Sequence, residues 1–340
     1  MKLIKRILGV LGTTILWLVI TLFICIEIIC HGPSERASIL FATTMLESGQ
    51  MKFVANWFFS KDELKKIVDN NSLKKMEEDT DESLIEVDNT NNSQDIVVEK
   101  VFGDQFEGTM MIISDPSRVF VGTTYPWTKY GLVLDKLVEK YDAIGGINGG
   151  IYYSANNEGG IPYGPVVSNG EIQNMSNLSM KGLHLIGLSK DNKLKIIDIS
   201  GKNATEVTNI INNEQIRDAV CFQEESSEAN YHFVKLIING KARELNGMGS
   251  GKCSRTAIGQ TKDGKILLLV TNGRGMSGSL GTSAQDLIEV FQRYDAVNAA
   301  NLDGGSSSAM FYNGEYLRYS VAPYHSNTSW KLPDSFLIKR

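Results

Sequence analysis

The feature that most constrains the fold is a helix–strand–glycine unit that occurs twice in the chain. In the later copy, an apolar helical pattern leads through Tyr-Asp-Ala at 294–296 and a short apolar run to Asn-Leu-Asp-Gly-Gly at 301–305. In the earlier copy, Tyr-Asp-Ala at 141–143 leads to Asn-Gly-Gly at 148–150. Aligning the triplets places Asn148 on Asn301. The duplication predicts two related units whose strands each end in a polar glycine turn.

The helix of each unit is predicted from apolar residues spaced i, i+3, i+4, i+7. That spacing places one apolar face on each helix, formed by Leu134, Leu137, Val138 and Tyr141 in the first unit and by Leu287, Val290, Phe291 and Tyr294 in the second. Asp286 follows Ser283 by three residues, which is the pattern of a capping box at a helix start. Polar groups that follow a buried strand often mark a functional site, because a rigid element holds them in place.

The N-terminus is almost wholly apolar from residue 7 to residue 26, and the apolar run continues past Glu27 to Cys30. About twenty apolar residues span a bilayer as a helix. Basic residues precede the run, so the positive-inside rule places the N-terminus in the cytoplasm. A cleaved signal peptide is the alternative, although residues 28–33 make a poor cleavage site. We expect a single-pass membrane anchor through residues 7–30, with the rest of the chain outside the cytoplasm.

The remainder divides into a connecting part, 34–95, and a catalytic part, 96–340, after the cytoplasmic tip and anchor at 1–33. Residues from Ser34 to about Asn70 are expected to be helical, with an apolar patch made by Leu40, Phe41, Met45, Leu46, Phe53, Trp57 and Phe58. That patch is compatible with a membrane surface, with packing on the catalytic part, or with a plain stalk. The acidic stretch from Met76 to Glu99 predicts a flexible linker.

From residue 96 onward, short apolar runs predict strands at 96–102, 110–113, 119–121, 183–188, 194–199, 233–238 and 266–270. Turn residues at 190–192, 239–240 and 262–264 suggest hairpins. The fold class expected is α+β (mixed α/β), as a single domain with a mixed sheet. The net charge of −5 gives no electrostatic footprint for nucleic acid. Cys221 and Cys253 are candidates for a disulfide, and the sequence does not decide whether they pair.

Four motifs stand in a fixed order: Asn-Gly-Gly at 148–150, Gly-Ile-Pro-Tyr-Gly at 160–164, Arg-Thr-Ala-Ile-Gly at 255–259, and the segment 298–308. With this order and spacing, residues from about 96 to 340 resemble the phosphodiester glycosidase family. The resemblance implies hydrolysis of a sugar-1-phosphate diester. One departure is Ser306, which stands where the family often has a third glycine and which brings turn geometry and substrate preference into question.

Four residues are candidates for catalysis. Asp303 is the best candidate for a catalytic carboxylate, as nucleophile, general acid or base, or ligand to a divalent ion, and a turn-capping aspartate is the alternative. Asn148 and Asn301 would bind sugar hydroxyls or orient a carboxylate, unless they only cap turns. His184 is a candidate general acid, with a structural histidine as the alternative.

The phosphate needs hydrogen-bond donors, and arginine forks and glycine-turn N–H groups supply them. Arg255 and Arg274 are the candidate phosphate clamp, with structural ion pairs as the alternative. The other expected substrate-binding residues are Gly149, Gly150, Gly304, Gly305, Ser306, Ser307 and Tyr163. Tyr152 and Tyr153, like Tyr163, would stack on a sugar or pack in the core. No cofactor is expected, and binding of a divalent cation is kept as an alternative.

The function predicted is a membrane-anchored hydrolase that cleaves sugar-1-phosphate diesters outside the cytoplasm, with cell-surface glycopolymers as plausible substrates. One alternative is a non-catalytic glycan-binding or envelope-assembly protein on the same scaffold. Another is a metal-dependent phosphodiesterase, although the sequence lacks a dense cluster of His, Asp and Glu suited to two metals. The partners expected are the sugar-phosphate substrate and the membrane, and not nucleic acid.

Overall fold

The computed structural model describes residues 2–48, 51–88, 93–227, 231–273, 275–319 and 327–340. This part of the chain contains seven α-helices: α1 (Lys2–His31), α2 (Glu35–Glu47), α3 (Lys52–Phe58), α4 (Lys61–Asn70), α5 (Leu134–Lys140), α6 (Ala204–Asn213) and α7 (Ala284–Arg293). Helix α1 is long and apolar enough over Leu3–His31 to cross a membrane, and a signal sequence near an N-terminus has the same character.

The described strands are β1 (Ile96–Gly103), β2 (Phe106–Ile113), β3 (Val119–Thr123), β4 (Ala143–Asn148), β5 (Pro165–Ser168), β6 (Glu171–Met175), β7 (Leu183–Ser189), β8 (Leu194–Asp198), β9 (Ile216–Gln223), β10 (Glu225–Ser226), β11 (Tyr231–His232), β12 (Lys235–Ile238), β13 (Lys241–Ala242), β14 (Thr256–Thr261), β15 (Ile266–Thr271), β16 (Ala296–Asn301), β17 (Met310–Tyr312), β18 (Glu315–Arg318) and β19 (Asp334–Lys339). The three larger sheets have the orders β1-β2-β15-β14-β16-β12-β13, β18-β17-β4-β19-β3 and β6-β5-β9-β7-β8. Their pairings are antiparallel.

The α+β class is confirmed, with the strands distributed over separate antiparallel sheets instead of one mixed sheet. All three larger sheets contribute side chains to one central apolar core, among them Met111, Ile147, Ile186, Leu268 and Phe336. Burial of each such side chain stabilises the fold by about 1.5–3 kcal/mol. The opposite faces are covered by one helix each: α7 on the seven-stranded sheet, α6 on the sheet of β7, and α5 on the sheet of β4.

Both predicted helix–strand units are present, as α5–β4 and α7–β16. In each unit the tyrosine of the triplet caps the helix and the aspartate has a positive φ, 47° at Asp142 and 52° at Asp295. The two strands lie in different sheets. Their polar ends meet where these sheets adjoin, because Asn148 at the end of β4 donates to the Asp303 carbonyl just after β16. The capping box of Ser283 and Asp286 is also confirmed.

The N-terminal helices pack on the rest of the chain. Apolar side chains of α2, α3 and α4, including Leu46, Phe58 and Leu64, are buried in one cluster with Tyr231. The acidic stretch that follows also makes contacts: Glu86 N–H donates to the Lys262 carbonyl at 2.8 Å. The expected division of the chain after residues 33 and 95 stays a prediction. Cys221 and Cys253 are not joined by a disulfide bond.

Candidate active site

Asp303 lies two residues after the end of β16, where the glycine turn begins. Its Oδ1 accepts a hydrogen bond from the Gly304 N–H at 3.0 Å, and the Ser307 hydroxyl donates to the same carboxylate. Gly305 has a φ of 60°, a left-handed conformation that glycine adopts at no steric cost. The turn therefore folds back so that Ser307 returns to the carboxylate that opens it.

A second buried carboxylate, Asp334, lies at the start of β19. Its Oδ1 accepts the Gly150 N–H at 2.8 Å. A Cβ at Gly149 would lie 2.1 Å from that same oxygen, so glycine is required there for the carboxylate to fit. The Asp334 side chain is 1% exposed, and its Oδ2 has no hydrogen-bond partner among the described residues. An unpartnered, buried carboxylate oxygen is a costly feature that functional sites retain.

The charge of Asp334 acts on the Asp303 carboxyl group. Burial raises the pKa of Asp303 to about 7; the Asp334 charge adds to this rise, while the bonds from Ser307 and Gly304 oppose it. Burial likewise raises the pKa of Asp334 to about 7, opposed by the Gly150 N–H. Two neighbouring carboxyl groups with such pKa values can divide one proton between them near neutral pH.

Tyr152 completes the site as a buried donor or acceptor. Its hydroxyl lies 3.0 Å from the Ser307 Oγ. Burial raises the pKa of Tyr152, and the charges of Asp303 and Asp334 raise it further, so the phenol stays neutral. The sequence suggested stacking or core packing for Tyr152, whereas the structure connects it through Ser307 to the Asp303 carboxylate.

Asn148 connects the two helix–strand units. Its Nδ2 donates to the Asp303 carbonyl at 2.7 Å, while its Oδ1 accepts from the Thr256 hydroxyl at 2.7 Å and the Ala309 N–H at 3.1 Å. Asn148 thus fixes the backbone of the Asp303 turn. Asn301 is also buried; its Nδ2 donates to the Phe233 carbonyl at 3.0 Å, and its Oδ1 has no partner within the described ranges.

The expectation that Arg255 clamps a phosphate needs revision. Its Nη2 forms an ion pair with Glu47 of α2, with 5% and 2% of the two side chains exposed. Its Nε donates to the Thr282 carbonyl at 3.2 Å, and its guanidinium lies 4.8 Å from the centre of the Phe233 ring. Arg255 therefore holds an internal carboxylate instead of a ligand. It still borders the site, because its Cδ would lie 3.8 Å from a Cβ at Gly304.

The backbone N–H groups of the glycine turns also donate hydrogen bonds to acceptors within the protein. Gly304 N–H donates to Asp303, Gly305 N–H donates to the Ser254 carbonyl at 2.7 Å, and Gly150 N–H donates to Asp334. These N–H groups shape the turns and hold the carboxylates, so the phosphate cradle expected from them also needs revision. Ser306 lies half-buried in the same turn. Arg274, the second candidate clamp, lies outside the described residues.

His184 lies in a strand, and Tyr163 lies in the loop that precedes β5. His184 is buried in β7, where its Nδ1 is 3.0 Å from the Gly182 carbonyl. Tyr163 is half-buried, with its ring centre 6.5 Å from that of the exposed Tyr153. Since Gly150 is followed directly by residues 151–153, this tyrosine pair is placed near the Asp334 side of the site. Over the described ranges, no three His, Cys, Asp or Glu side chains form a metal-binding group.

Sequence reasoning missed Asp334 as a site residue. It stands just before the last apolar run of the chain, whereas Asp303 drew attention by following such a run. No glycine motif follows it, and its proximity to Gly149 and Gly150 arises only because β19 pairs with β4. The signal available was an acidic residue at the edge of a buried strand.

Comparisons with known proteins identify the family and the fold. The sequence model of a family described as phosphodiester glycosidase matches residues 141–339. The mouse N-acetylglucosamine-1-phosphodiester alpha-N-acetylglucosaminidase is 30% identical over 80 residues, 24% of this chain and 15% of the mouse protein. The SPbeta prophage-derived protein YomE of Bacillus subtilis is 38% identical over 66 residues, 19% of this chain and 10% of that protein. The chain thus matches only a small part of the length of these relatives.

A solved structure shares the fold. It is the zebrafish N-acetylglucosamine-1-phosphodiester alpha-N-acetylglucosaminidase catalytic domain, auto-inhibited by pro-peptide, with a TM-score of 0.57 and 17% identity over 75% of this chain and 87% of that one. The resemblance inferred from the four motifs is confirmed. Because the family match extends from residue 141 to residue 339, over more than half of the chain, this protein belongs to the phosphodiester glycosidase family.

Proposed function

We propose that this chain is a membrane-anchored hydrolase that cleaves sugar-1-phosphate diesters outside the cytoplasm, with cell-surface glycopolymers as its substrates. The observation that carries the proposal is the pair of buried carboxyl groups, Asp303 and Asp334, each with a pKa raised to about 7. Paired carboxyl groups are the usual machinery of glycoside hydrolysis. Helix α1 would provide the anchor, with the N-terminus in the cytoplasm.

In the proposed mechanism the two carboxyl groups have different protonation states. The ionised carboxylate stabilises positive charge that develops at the anomeric carbon, as a nucleophile or as the base that activates water. The protonated group donates a hydrogen bond or a proton to the leaving phosphate oxygen. Water supplies the hydroxyl of the released sugar, and the phosphate leaves as a monoester.

The raised pKa values suit an anionic substrate. Two ionised carboxylates would repel a phosphodiester, whereas a pair that retains one proton carries half of that charge. Burial, which is the largest cause of both shifts, thus serves substrate binding as well as acid–base chemistry.

The phosphate would be bound by groups other than Arg255, which is paired with Glu47. We propose Arg274 and the hydroxyl of Ser306 for this role, with Tyr163 against the sugar. His184 and Asn301 remain proposed site residues. We rank them below the others because their side chains contact the backbone carbonyls of Gly182 and Phe233.

The test is to incubate the full chain, in detergent or lipid nanodiscs, with UDP-N-acetylglucosamine and a panel of other sugar-1-phosphodiesters. The mouse relative's name supplies the first sugar to try. Products are separated by chromatography. Release of the free sugar together with UDP, with oxygen from isotope-labelled water appearing in the sugar and not in UDP, means cleavage of the C–O bond and supports a phosphodiester glycosidase.

The other outcomes point to the alternatives. Release of sugar-1-phosphate with UMP means P–O cleavage, and its loss on adding a chelator would favour a metal-dependent phosphodiesterase. Binding of glycans without turnover by a folded chain would favour the non-catalytic protein.

A further inference from the structure

The apolar patch of the connecting helices divides into two halves in the structure. Leu46 and Phe58 are buried against the rest of the chain. Phe53 and Trp57, one turn apart on α3, remain exposed and lie in edge-to-face contact with ring centres 4.8 Å apart. We call these two residues the aromatic patch. Trp57 is 75% exposed, which is an unfavourable state in water for the largest apolar side chain.

The aromatic patch is continuous with the apolar surface of α1. Phe58, the neighbour of Trp57, has its ring centre 5.2 Å from that of Phe23 on α1. Phe23 precedes Glu27, the first acidic residue of α1, by one helical turn, which is about 6 Å along the axis. Helix α3 therefore lies beside the end of the apolar stretch, just before the ionisable pair formed by Glu27 and His31.

We propose that Phe53 and Trp57 insert into the interfacial layer of the lipid bilayer that α1 spans. The proposal rests on the membrane anchoring proposed above. Tryptophan and phenylalanine beside a spanning helix prefer the depth of the lipid headgroups, where the indole N–H stays hydrated and the ring is covered. The bilayer is the occupant that the contact with α1 favours, because any lipid around Phe23 also surrounds the patch.

The insertion would fix the height and tilt of the catalytic part above the membrane. Helix α3 is buried in the same cluster as α2, and α2 carries Glu47, the partner of Arg255 beside the Gly304 turn. A rigid connection thus runs from the aromatic patch to the candidate active site. The site would then reach substrates at a fixed short distance from the membrane. A domain on a flexible tether would reach substrates over a range of distances.

The test uses the full chain in liposomes that contain lipids brominated at a defined depth, since bromine quenches tryptophan emission on contact. The chain has four tryptophans, so the Trp57 signal is taken as the difference between a Trp17→Phe variant and a Trp17→Phe/Trp57→Phe variant. We expect roughly a twofold loss of that signal with lipids brominated near the headgroup, and protection from aqueous iodide.

Quenching of the Trp57 signal by iodide but not by brominated lipid would overturn the proposal. Protection from both quenchers would also overturn it, since a protein partner or a second copy would then cover the patch. Trp17, measured as the difference between the Trp57→Phe variant and the double variant, reports on the anchor. If Trp17 is quenched by deeply brominated lipid while Trp57 is not, the anchor stands and only the patch proposal fails; if neither is quenched, both fail.

Discussion

The proposed mechanism depends on two aspartates whose surroundings differ. Asp303 has two donors, from Gly304 and Ser307, whereas Asp334 has one from Gly150 and a buried oxygen without a partner in the described part of the chain. Fewer donors mean less stabilisation of the ionised form. We therefore assign Asp303 as the carboxylate that ionises first and Asp334 as the group that keeps the proton.

The first prediction concerns stability against pH. The folded-state pKa of Asp334, about 7, lies above the ordinary value of 3.8. Between these values the folded chain binds more protons than the unfolded chain, so this group's contribution to stability is lost as the pH rises. An Asp334→Asn variant has no carboxyl group to ionise at this position, so it does not lose stability in this way as the pH rises. Its free energy of unfolding should exceed that of the wild type above pH 7, by about 1.4 kcal/mol for each unit of the pKa shift, with a correspondingly higher melting temperature, and the advantage should vanish near pH 4.

The matched control is Asp104→Asn, in the exposed turn between β1 and β2. That variant should follow the wild type at every pH. Thermal melts followed by circular dichroism measure all three proteins. Parallel curves for the wild type and Asp334→Asn from pH 4 to pH 9 would mean that Asp334 titrates normally.

The second prediction concerns the pH dependence of turnover. Because the mechanism needs one protonated and one ionised carboxyl group, kcat/KM should follow a bell with its maximum near pH 7, set by the pair and not by either group alone. Initial rates in buffers of constant ionic strength check this. A rate that stays constant from pH 5 to pH 9 would exclude a shared proton.

The sequence predicts site residues that stand in a local motif and misses those whose roles depend on partners far along the chain. Asp303 stands in a local motif, and the alignment of Asn148 with Asn301 is visible without coordinates. Asp334 and Glu47 acquire their roles from partners far along the chain, Gly150 and Arg255, and pairing over such separations leaves no local pattern.

Among the elements, α2 has the most unexpected role. The sequence leaves open a membrane surface, packing on the catalytic part or a plain stalk for this region. In the structure, Glu47 near the end of α2 is buried on Arg255 and accepts the Gly251 N–H at 2.6 Å. Burial raises the pKa of the Glu47 carboxyl, and the Arg255 charge opposes that rise. Local periodicity predicted α5 and α7 correctly because each has one continuous apolar face, whereas the surface that receives α2 is assembled from distant loops.

The third prediction is that Glu47→Gln destabilises the fold by about 3–5 kcal/mol, because it leaves the buried Arg255 charge without a partner. Glu244→Gln is the control, since it removes a carboxylate from an exposed pair with Lys74 and should leave the unfolding midpoint nearly unchanged. Urea titration of both variants provides the comparison. Equal midpoints for the two would show that the Glu47 pair contributes no more than a surface pair.

For the whole molecule, one buried cluster joins the N-terminal helices to Tyr231 in the part of the chain after residue 96. The fourth prediction compares two shortened chains. A chain beginning at residue 33 keeps α2–α4 and should unfold cooperatively. A chain beginning at residue 96 exposes Tyr231 and leaves Arg255 unpaired, so it should melt at a lower temperature or aggregate. Calorimetry with gel filtration distinguishes them, and equal melting temperatures would make the helices a dispensable stalk.

The class of the fold and the family could be predicted from the sequence because the four motifs keep their order. The arrangement of the sheets could not, because strand pairs such as β4–β19 and β12–β16 join segments that are distant in the chain. Register between such strands depends on packing of the whole core.

The most direct measurement of the central claim is turnover of a sugar-1-phosphodiester by the wild type, Asp303→Asn and Asp334→Asn, in one assay and with folding confirmed for each by circular dichroism. If the two carboxyl groups act together, each variant should lose at least about a hundredfold in kcat while retaining the fold. Turnover within a few-fold of the wild type in either variant would contradict a mechanism that uses both aspartates.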